Sequence, residues 1–471
     1  MRIDVPDRIL PAEDLGRVFL IGIGGAGLSA IALLLHEAGV DVAGSDARDS
    51  AVLDRLRAAG IVCHVGHDAA HLADRDTVIA STAVHEDNPE IVEAQRRGLR
   101  LWPRSAGLMA TMLHDRRVAV AGTHGKTTTT AMLTFALRAS GADPSFAIGA
   151  EVAGLGTNAH RGAGADFVVE ADESDGAFLH YRPFGAVVTN VDADHLDTWG
   201  SVDAYEAAFA RFAATVEDFV VLSADDPGSR RLAEALRGAA AGPAVITAGF
   251  ATDADLRGDD VVVEDGRTRL TAHLPGRGPV DVALAVPGRH YAADALLALA
   301  AGLRLGHDAA ALVAGLSDYT GAARRMEPKG EAAGIRVVDS YAHLPTEIAA
   351  DLAAARSLVA AGGRLVVAYQ PHLVSRTRLF GTRMGEELRA ADLVVVADLY
   401  LAREEPDPAV TSDLVVRAAG AVATAGGPVA GLAEVLLPSL RPGDLVLTLG
   451  AGDITTVGPR LLALLRGEEH A

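Results

Sequence analysis

Eight consecutive residues, Ala121-Gly122-Thr123-His124-Gly125-Lys126-Thr127-Thr128, join an apolar β-rich run, Arg117-Val118-Ala119-Val120, to a stretch over 131–137 with helical character. A strand that feeds a helix through Gly-Thr-x-Gly-Lys-Thr is a phosphate cradle. The glycines let backbone N–H groups approach phosphate oxygens and the helix N-terminus adds positive potential; Lys126 reaches the β/γ oxygens, and the Thr127 hydroxyl is placed to ligate Mg²⁺. The loop is a short variant, because Val120 stands where the longer Walker pattern has its first glycine. Lys126 and Lys329 are the only lysines in a chain that otherwise uses arginine, which suggests that lysine chemistry is needed in this loop.

Two acidic clusters follow. The run Phe167-Val168-Val169-Glu170 leads into Ala171-Asp172-Glu173-Ser174-Asp175, and Ala186-Val187-Val188-Thr189-Asn190 leads into Val191-Asp192-Ala193-Asp194-His195-Leu196-Asp197. In open parallel sheets ligands bind beyond the carboxyl ends of the strands. Carboxylates delivered there beside a phosphate loop suit Mg²⁺, with a nitrogen from His195 as a minority ligand.

A second glycine loop lies near the N-terminus. The strand Arg17-Val18-Phe19-Leu20-Ile21 meets Gly22-Ile23-Gly24-Gly25-Ala26-Gly27-Leu28-Ser29, in which Gly22, Gly24 and Gly27 match G-x-G-x-x-G, and Asp46 ends the next strand where a ribose-binding acid would sit. The pattern fits a dinucleotide and equally any pyrophosphate-bearing nucleotide, a UDP-sugar included. Strands and helices alternate from there to about residue 115, which predicts a Rossmann-like unit. Short alternating runs over 260–264, 268–274 and 280–286 predict antiparallel strands. Beyond a linker at 321–328, alternation resumes through Asp339-Ser340-Tyr341-Ala342-His343, Gln370-Pro371-His372 and Gly450-Ala451-Gly452-Asp453 without a second G-x-G-x-x-G. The expectation is an α/β protein of three domains: a Rossmann-like domain over 1–115, a P-loop-type ATPase with a mostly parallel sheet and a small antiparallel extension over 116–321, and a second Rossmann-like domain over 322–471.

Composition narrows the class. A formal charge of −20 without an offsetting basic stripe argues against nucleic-acid or anionic-membrane partners. The single cysteine, Cys63, excludes internal disulfides and is expected to be a small buried hydrophobe. No leader-like segment opens the chain and Asp294 and Arg304 interrupt its longest Ala/Leu stretch, so a cytoplasmic protein is expected. A nucleotide-diphosphate site, an ATP·Mg²⁺ site and a C-terminal domain carrying histidines and arginines suit ATP-driven ligation better than hydride transfer. An NAD-dependent oxidoreductase would leave the Lys126 loop and both acidic clusters unexplained.

These ordered motifs, spread over essentially the whole chain, resemble the Mur ligases of peptidoglycan synthesis. The resemblance implies UDP-binding, ATP-binding and amino-acid-binding domains, with L-alanine joined to the lactyl carboxylate of UDP-N-acetylmuramate through an acyl phosphate. It implies that Gly22, Gly24, Gly25, Ala26, Gly27 and Ser29 hold the UDP pyrophosphate, with Asp46, His67 and Ser81 near uridine. Gly122, Thr123, His124, Gly125, Lys126, Thr127 and Thr128 would bind ATP phosphates; Thr127 would ligate one Mg²⁺, and Glu170 with His195 a second. Asp294, Arg325 and Asp339 would also reach ATP, while Tyr341, His343, His372 and Arg376 would face the amino acid, His343 as a proton acceptor. A monomer or weak homodimer is expected. Tyr291 and Asp294 stand where the family commonly has asparagines for adenine, and Leu344, Ser340 and Met326 also depart from its pattern. A peptide-recycling ligase acting on the same nucleotide sugar is the alternative within the family, and an inactive nucleotide-binding protein the alternative outside it.

Overall fold

A computed structural model describes residues 3–81, 84–402 and 404–468. Its secondary structure forms three α/β domains built on mostly parallel sheets, and the chain gathers into two compact units. The first unit comprises 1–193, 198–254 and 297–315; the second comprises 194–197, 255–296 and 316–471.

The first unit opens with a parallel sheet of β1 (Val18–Ile21), β2 (Val42–Asp46), β3 (Val62–Val65), β4 (Thr77–Ala80) and β5 (Arg100–Pro103), in the order β3-β2-β1-β4-β5. All four residues of β1 and of β4 are buried, as strands covered on both faces require. Helix α1 (Ala26–Glu37) follows the glycine loop, α2 (Ala51–Ala58) starts where the Ser50 hydroxyl accepts the Leu53 N–H, and α3 (Pro89–Arg97) starts where Asn88 accepts from Glu90 and Ile91 with Pro89 at its first position. Helix α4 (Arg104–Thr111) leaves the end of β5 directly.

The same unit holds β6 (Arg116–Ala121), α5 (Lys126–Ala139), β7 (Ser145–Ala147), β8 (Ala159–His160), β9 (Asp166–Glu170), β10 (Gly185–Val188), β11 (Phe219–Ser223) and β12 (Ala244–Gly249). They lie in the order β12-β11-β10-β6-β9-β7-β8, parallel except for the β7–β8 pair. After Lys126, helix α5 carries four buried threonines, and the hydroxyls of Thr130 and Thr134 donate to the carbonyls of Lys126 (2.7 Å) and Thr130 (2.8 Å). That i−4 back-bonding lets β-branched polar residues sit inside a helix against a sheet.

Helix α1 is apolar on two sides. Leu28, Ile31, Ala32 and Leu35 pack with Leu20, Ile79 and Trp102 in the first domain's core. Ala30 and Leu34 pack into a different core with Ala147, Ala159, Phe167 and the aromatic group Phe178, Phe209 and Phe212. One helix thus belongs to two domains, and this is why they form one compact unit.

The second unit carries an antiparallel meander, β13 (Leu256–Glu264), β14 (Arg267–His273) and β15 (Pro279–Leu284), as the alternating runs predict. It also carries β16 (Glu327–Ala332), β17 (Ile335–Ser340), β18 (Leu365–Tyr369), β19 (Leu393–Ala397), β20 (Ala423–Gly427) and β21 (Leu445–Leu449), in the order β16-β17-β21-β18-β19-β20 with only β16 antiparallel. Among the described residues, no helix is long and apolar enough to cross a membrane. Cys63 corrects one expectation: it is half-buried on β3, its thiol donating to the Ile61 carbonyl, and burial raises its pKa.

Leu34→Ala is expected to cost ~2–5 kcal/mol, because the side chain is fully buried and its cavity opens between two domains. The chain's two tryptophans fall one in each domain's core region, Trp102 and Trp199. Urea unfolding of Leu34→Ala in Trp102→Phe and Trp199→Phe backgrounds should show the midpoint falling in both; a fall seen by one tryptophan only would contradict the shared-helix account.

Candidate active site

The two loops of the first unit are set by close approaches. Gly22 has φ +86°, and its N–H and that of Ile23 donate to the Ser45 carbonyl at 2.8 and 3.0 Å. Asp46, the expected ribose acid, accepts the Gly24 N–H at 3.0 Å, so it is a strut of the loop in this structure. The Ser29 hydroxyl donates to the Ala26 carbonyl at 3.0 Å and is buried. Ser81 follows the last residue of β4 and its N–H donates to the Ile21 carbonyl, which keeps it at the loop's edge.

His67 lies beyond the end of β3, and what holds it is a residue that sequence reasoning missed. Its Nδ1 is 2.9 Å from Oε2 of Glu90, a fully buried carboxylate that also accepts from the Ser45 hydroxyl (2.7 Å) and meets Nδ1 of His71 (2.8 Å). With Nδ1–H given to the carboxylate, the Nε2 of His67 is left as the acceptor. Glu90 reads in sequence as an ordinary first-turn acid after Asn88-Pro89; only the fold brings His67 and His71 to it.

At the phosphate loop, Gly122 has φ +139° and a Cβ there would lie 2.0 Å from the Thr189 hydroxyl oxygen, so only glycine fits. Asn190 holds the loop by accepting the His124 N–H (2.9 Å) and donating to the His124 carbonyl (2.9 Å). Thr123 donates to the Asp192 carbonyl at 2.7 Å and pairs with the Tyr205 hydroxyl, which makes its side chain structural. Lys126 Nζ donates to the carbonyls of Gly122 (2.6 Å) and Thr123 (3.0 Å) and meets Glu173 Oε2 at 2.8 Å. Burial works against its charge, but Glu173, Asp172 and Glu170 outweigh burial and raise its pKa. Burial likewise opposes ionisation of Asp172, yet Lys126 and Arg104 hold it down at about 2. Thr127 and Thr128 are buried in the first turn of α5, and Glu170 accepts the Gly149 N–H at 2.8 Å. Among the described residues, no three His, Cys, Asp or Glu side chains stand together as a metal site. The oxygen donors Thr127 and Glu170 are of the hard type that Mg²⁺ takes, and substrate phosphates must complete its shell.

In the second unit, Arg376 donates to both oxygens of Asp194 at 3.0–3.1 Å, and both side chains are 5% exposed. Its remaining nitrogen donates to His372 Nδ1 at 3.0 Å. The guanidinium expected to face the amino acid is therefore engaged with protein partners. His195 Nε2 lies 3.3 Å from Asp194, on a backbone with φ +50°. A recess here is lined by Asp194, His195, Leu373, Arg376, Leu379 and Phe380, among others, and Leu373 holds φ +70° at the entry to the helix Val374–Leu388. His343 is half-buried, its side chain 13% exposed, and is not a surface cap. Its Nδ1 donates to the Tyr341 carbonyl at 2.9 Å, which leaves Nε2 with a lone pair, and burial lowers its pKa despite Glu347, so the ring is neutral.

Two of the residues expected near ATP have protein partners in this structure. Asp339 is fully buried and turned inward, accepting from the hydroxyls of Thr448 (2.6 Å) and Thr455 (2.7 Å). Arg324, which no sequence motif singles out, lies 3.5 Å from Asp339 and donates to the Gly450 and Gly452 carbonyls. Arg325 and Arg324 both stack on the Tyr341 ring, at 4.8 and 4.9 Å. Tyr291 is buried and its hydroxyl donates to the Arg325 carbonyl at 3.0 Å, which gives this departure from the family pattern a structural use. Asp294 sits in the helix Arg289–Arg304, nearly buried.

A strand–loop–helix phosphate cradle, a second glycine-rich loop and an oriented histidine are features that an ATP-dependent ligase would use. Three family models match the chain: the Mur ligase family, catalytic domain, over 17–116; the Mur ligase middle domain over 120–302; and the Mur ligase, glutamate ligase domain, over 324–452. The chain belongs to the Mur ligase family. It is 58% identical to UDP-N-acetylmuramate–L-alanine ligase of Nocardioides sp. (strain ATCC BAA-499 / JS614) across 99% of this chain and 100% of the relative. Its fold is similar to the crystal structure of UDP-N-acetylmuramate–alanine ligase from Thermotoga maritima (TM-score 0.81, 28% identity, 96% and 100% of the two chains). It is also similar to a murein peptide ligase from Psychrobacter arcticus (TM-score 0.72, 97% and 99% covered), where 24% identity speaks for the fold alone.

Near Tyr291, Asp351 is buried and receives the Ser340 hydroxyl; burial raises its carboxyl from the ordinary 3.8 to about 7, with Ser340 opposing. The unfolded carboxyl ionises near 3.8 and the folded one only near 7. Unfolding therefore releases a proton in between, and stability falls as pH rises through that window until the penalty is complete above about 7. Asp351→Asn removes the titration, so its urea midpoint relative to the parent should climb from pH 5 to pH 8. A difference that is flat or declines over that range would contradict the assignment.

Proposed function

We propose that the chain joins L-alanine to the lactyl carboxylate of UDP-N-acetylmuramate, hydrolysing ATP to ADP and phosphate, in peptidoglycan synthesis. The carrying observation is the Lys126 loop with its ammonium held beside Glu173, in a chain 58% identical to an L-alanine ligase over 99% of its length. Attack of the lactyl carboxylate on the γ-phosphate gives an acyl phosphate; the amine of L-alanine then displaces phosphate. Such chemistry asks the protein chiefly for positioning and charge neutralisation.

Lys126 neutralises charge on the β/γ oxygens, exchanging Glu173 and two carbonyls for phosphate. Thr127 would hold one Mg²⁺, and Glu170 would offer an oxygen to a second; Mg²⁺ supplies charge neutralisation on the phosphates. His343 offers Nε2 as the acceptor for the proton that the ammonium of L-alanine must lose before attack. Arg376, fixed by Asp194, and His372 flank that position. The chain acts in the cytoplasm as a monomer or weak homodimer.

Phosphate release with Mg²⁺-ATP and UDP-N-acetylmuramate should require L-alanine and yield a product heavier by one alanine residue. Release only with L-Ala-γ-D-Glu-meso-diaminopimelate would move the chain to peptide recycling, and silence with both would leave a nucleotide-binding protein. Glycine and L-serine should leak through, since one methylene or hydroxyl changes discrimination by only ~1–3 kcal/mol; absolute selectivity in a mixed-substrate competition would refute that. Lys126→Ala should lower turnover by at least ~10²-fold while UDP-sugar affinity stays nearly intact. Titration calorimetry with the UDP-sugar checks the second half, and a matching loss of affinity would contradict the separation of the two sites.

A further inference from the structure

Helix α4 begins at the carboxyl edge of the first sheet, immediately after β5, and its first residue is Arg104. The side chain lies across the last glycine of the first loop: a Cβ on Gly27 would fall 2.8 Å from Arg104 Nη1 and 2.9 Å from its Cδ. The guanidinium thus lies directly over Gly27, the loop's last glycine. The other end of the guanidinium points to the second domain, with Nη2 3.4 Å from Asp172 Oδ2 and 3.5 Å from Asp175 Oδ2. All of these residues belong to the first compact unit.

The pairing is loose. Bidentate arginine–carboxylate pairs close to about 2.7–2.9 Å, as Arg116 with Asp166 does at 2.6 and 3.0 Å; Arg104 reaches two different carboxylates through one nitrogen at longer range. Asp172 already answers Lys126, which leaves Arg104 the lesser claim on it. Helix α1 has no side chain capping its N-terminus and no acid in its first turn, and the one carboxylate at the loop, Asp46, is held on the Gly24 N–H. An arginine beside such a loop can give two parallel N–H groups to a phosphate.

We infer that Arg104 grips the distal phosphate of the nucleotide diphosphate held by the first glycine loop, leaving Asp172 and Asp175 when it does so. The inference rests on the reading of that loop as the UDP-sugar site. It makes Arg104 a binding residue for the nucleotide sugar and gives that substrate a direct line to the acidic cluster beside Lys126. Each diphosphate that binds removes a counter-charge from Asp172 and Asp175 and leaves them more negative.

The test is calorimetric titration of the full chain, without ATP, using UDP and UMP. Arg104→Gln should weaken UDP by roughly ten- to hundred-fold and leave UMP nearly unchanged; Arg104→Lys should recover part of the loss. Asp175→Asn keeps the Ala177 N–H acceptor while removing the competing charge, so UDP should bind it as tightly as the parent or more so. UDP affinity untouched by Arg104→Gln would overturn the inference alone. A like loss in Asp175→Asn would also overturn it, since Arg104 would then be a strut between domains. Failure of the parent to bind UDP at all would overturn the reading of the loop and the inference with it.

Discussion

A lysine ammonium buried beside its own loop governs the middle of this molecule. Removing a charge from water costs several kcal/mol unless partners replace the solvent, and Lys126 has three in place: two carbonyls of the loop it belongs to and the carboxylate of Glu173. Those carbonyls point correctly only if Gly122 takes its left-handed backbone and Asn190 clamps His124. The neighbouring strand ends β9 and β10 must therefore lie on either side of β6. The sheet order, the acidic cluster and the asparagine are one arrangement seen from three sides. The same arrangement keeps a cation ready at a point where phosphate can replace carboxylate without a change in the lysine's charge.

Chemistry in the second unit depends on protonation states set by geometry. A carbonyl on one side of the His343 ring decides that the free nitrogen is the basic one, and burial keeps it neutral. Arg376 reaches the same end for His372 by donating to Nδ1, which places the ring's hydrogen on Nε2. Two histidines 6.1 Å apart thus present opposite faces, one an acceptor and one a donor. A breach of the Asp194–Arg376 pair would strand a buried charge, so the donor face of His372 is as secure as that pair.

What could be read from the chain was whatever is local. Strand–loop–helix junctions carry their glycines, caps and prolines side by side, so both loops, the start of α3 at Asn88-Pro89 and the meander were legible before any fold was known. The other features join residues far apart. Glu90 becomes the partner of His67 only through the sheet, Asp339 turns inward because threonines 109 and 116 residues later offer it hydroxyls, and Arg104 meets Gly27 from the far side of the domain. The resemblance to a family put Tyr291 among adenine contacts in doubt without saying what it does; the carbonyl of Arg325 supplies that answer. Cys63 misled because small apolar character says nothing about which face of an edge strand a residue occupies.

The double membership of α1 bears on how this chain can be divided. Sequence places a border near residue 115, yet Ala30 and Leu34 fill space between Ala147, Ala159 and Phe167 on the other side of it. An excised middle segment would carry an oily socket with no helix to fill it, and would be expected to self-associate or to capture amphipathic helices from other proteins. Exchange of first domains between relatives faces the same limit: the incoming α1 must match two cores at once, so the transferable module extends beyond the border drawn by motifs.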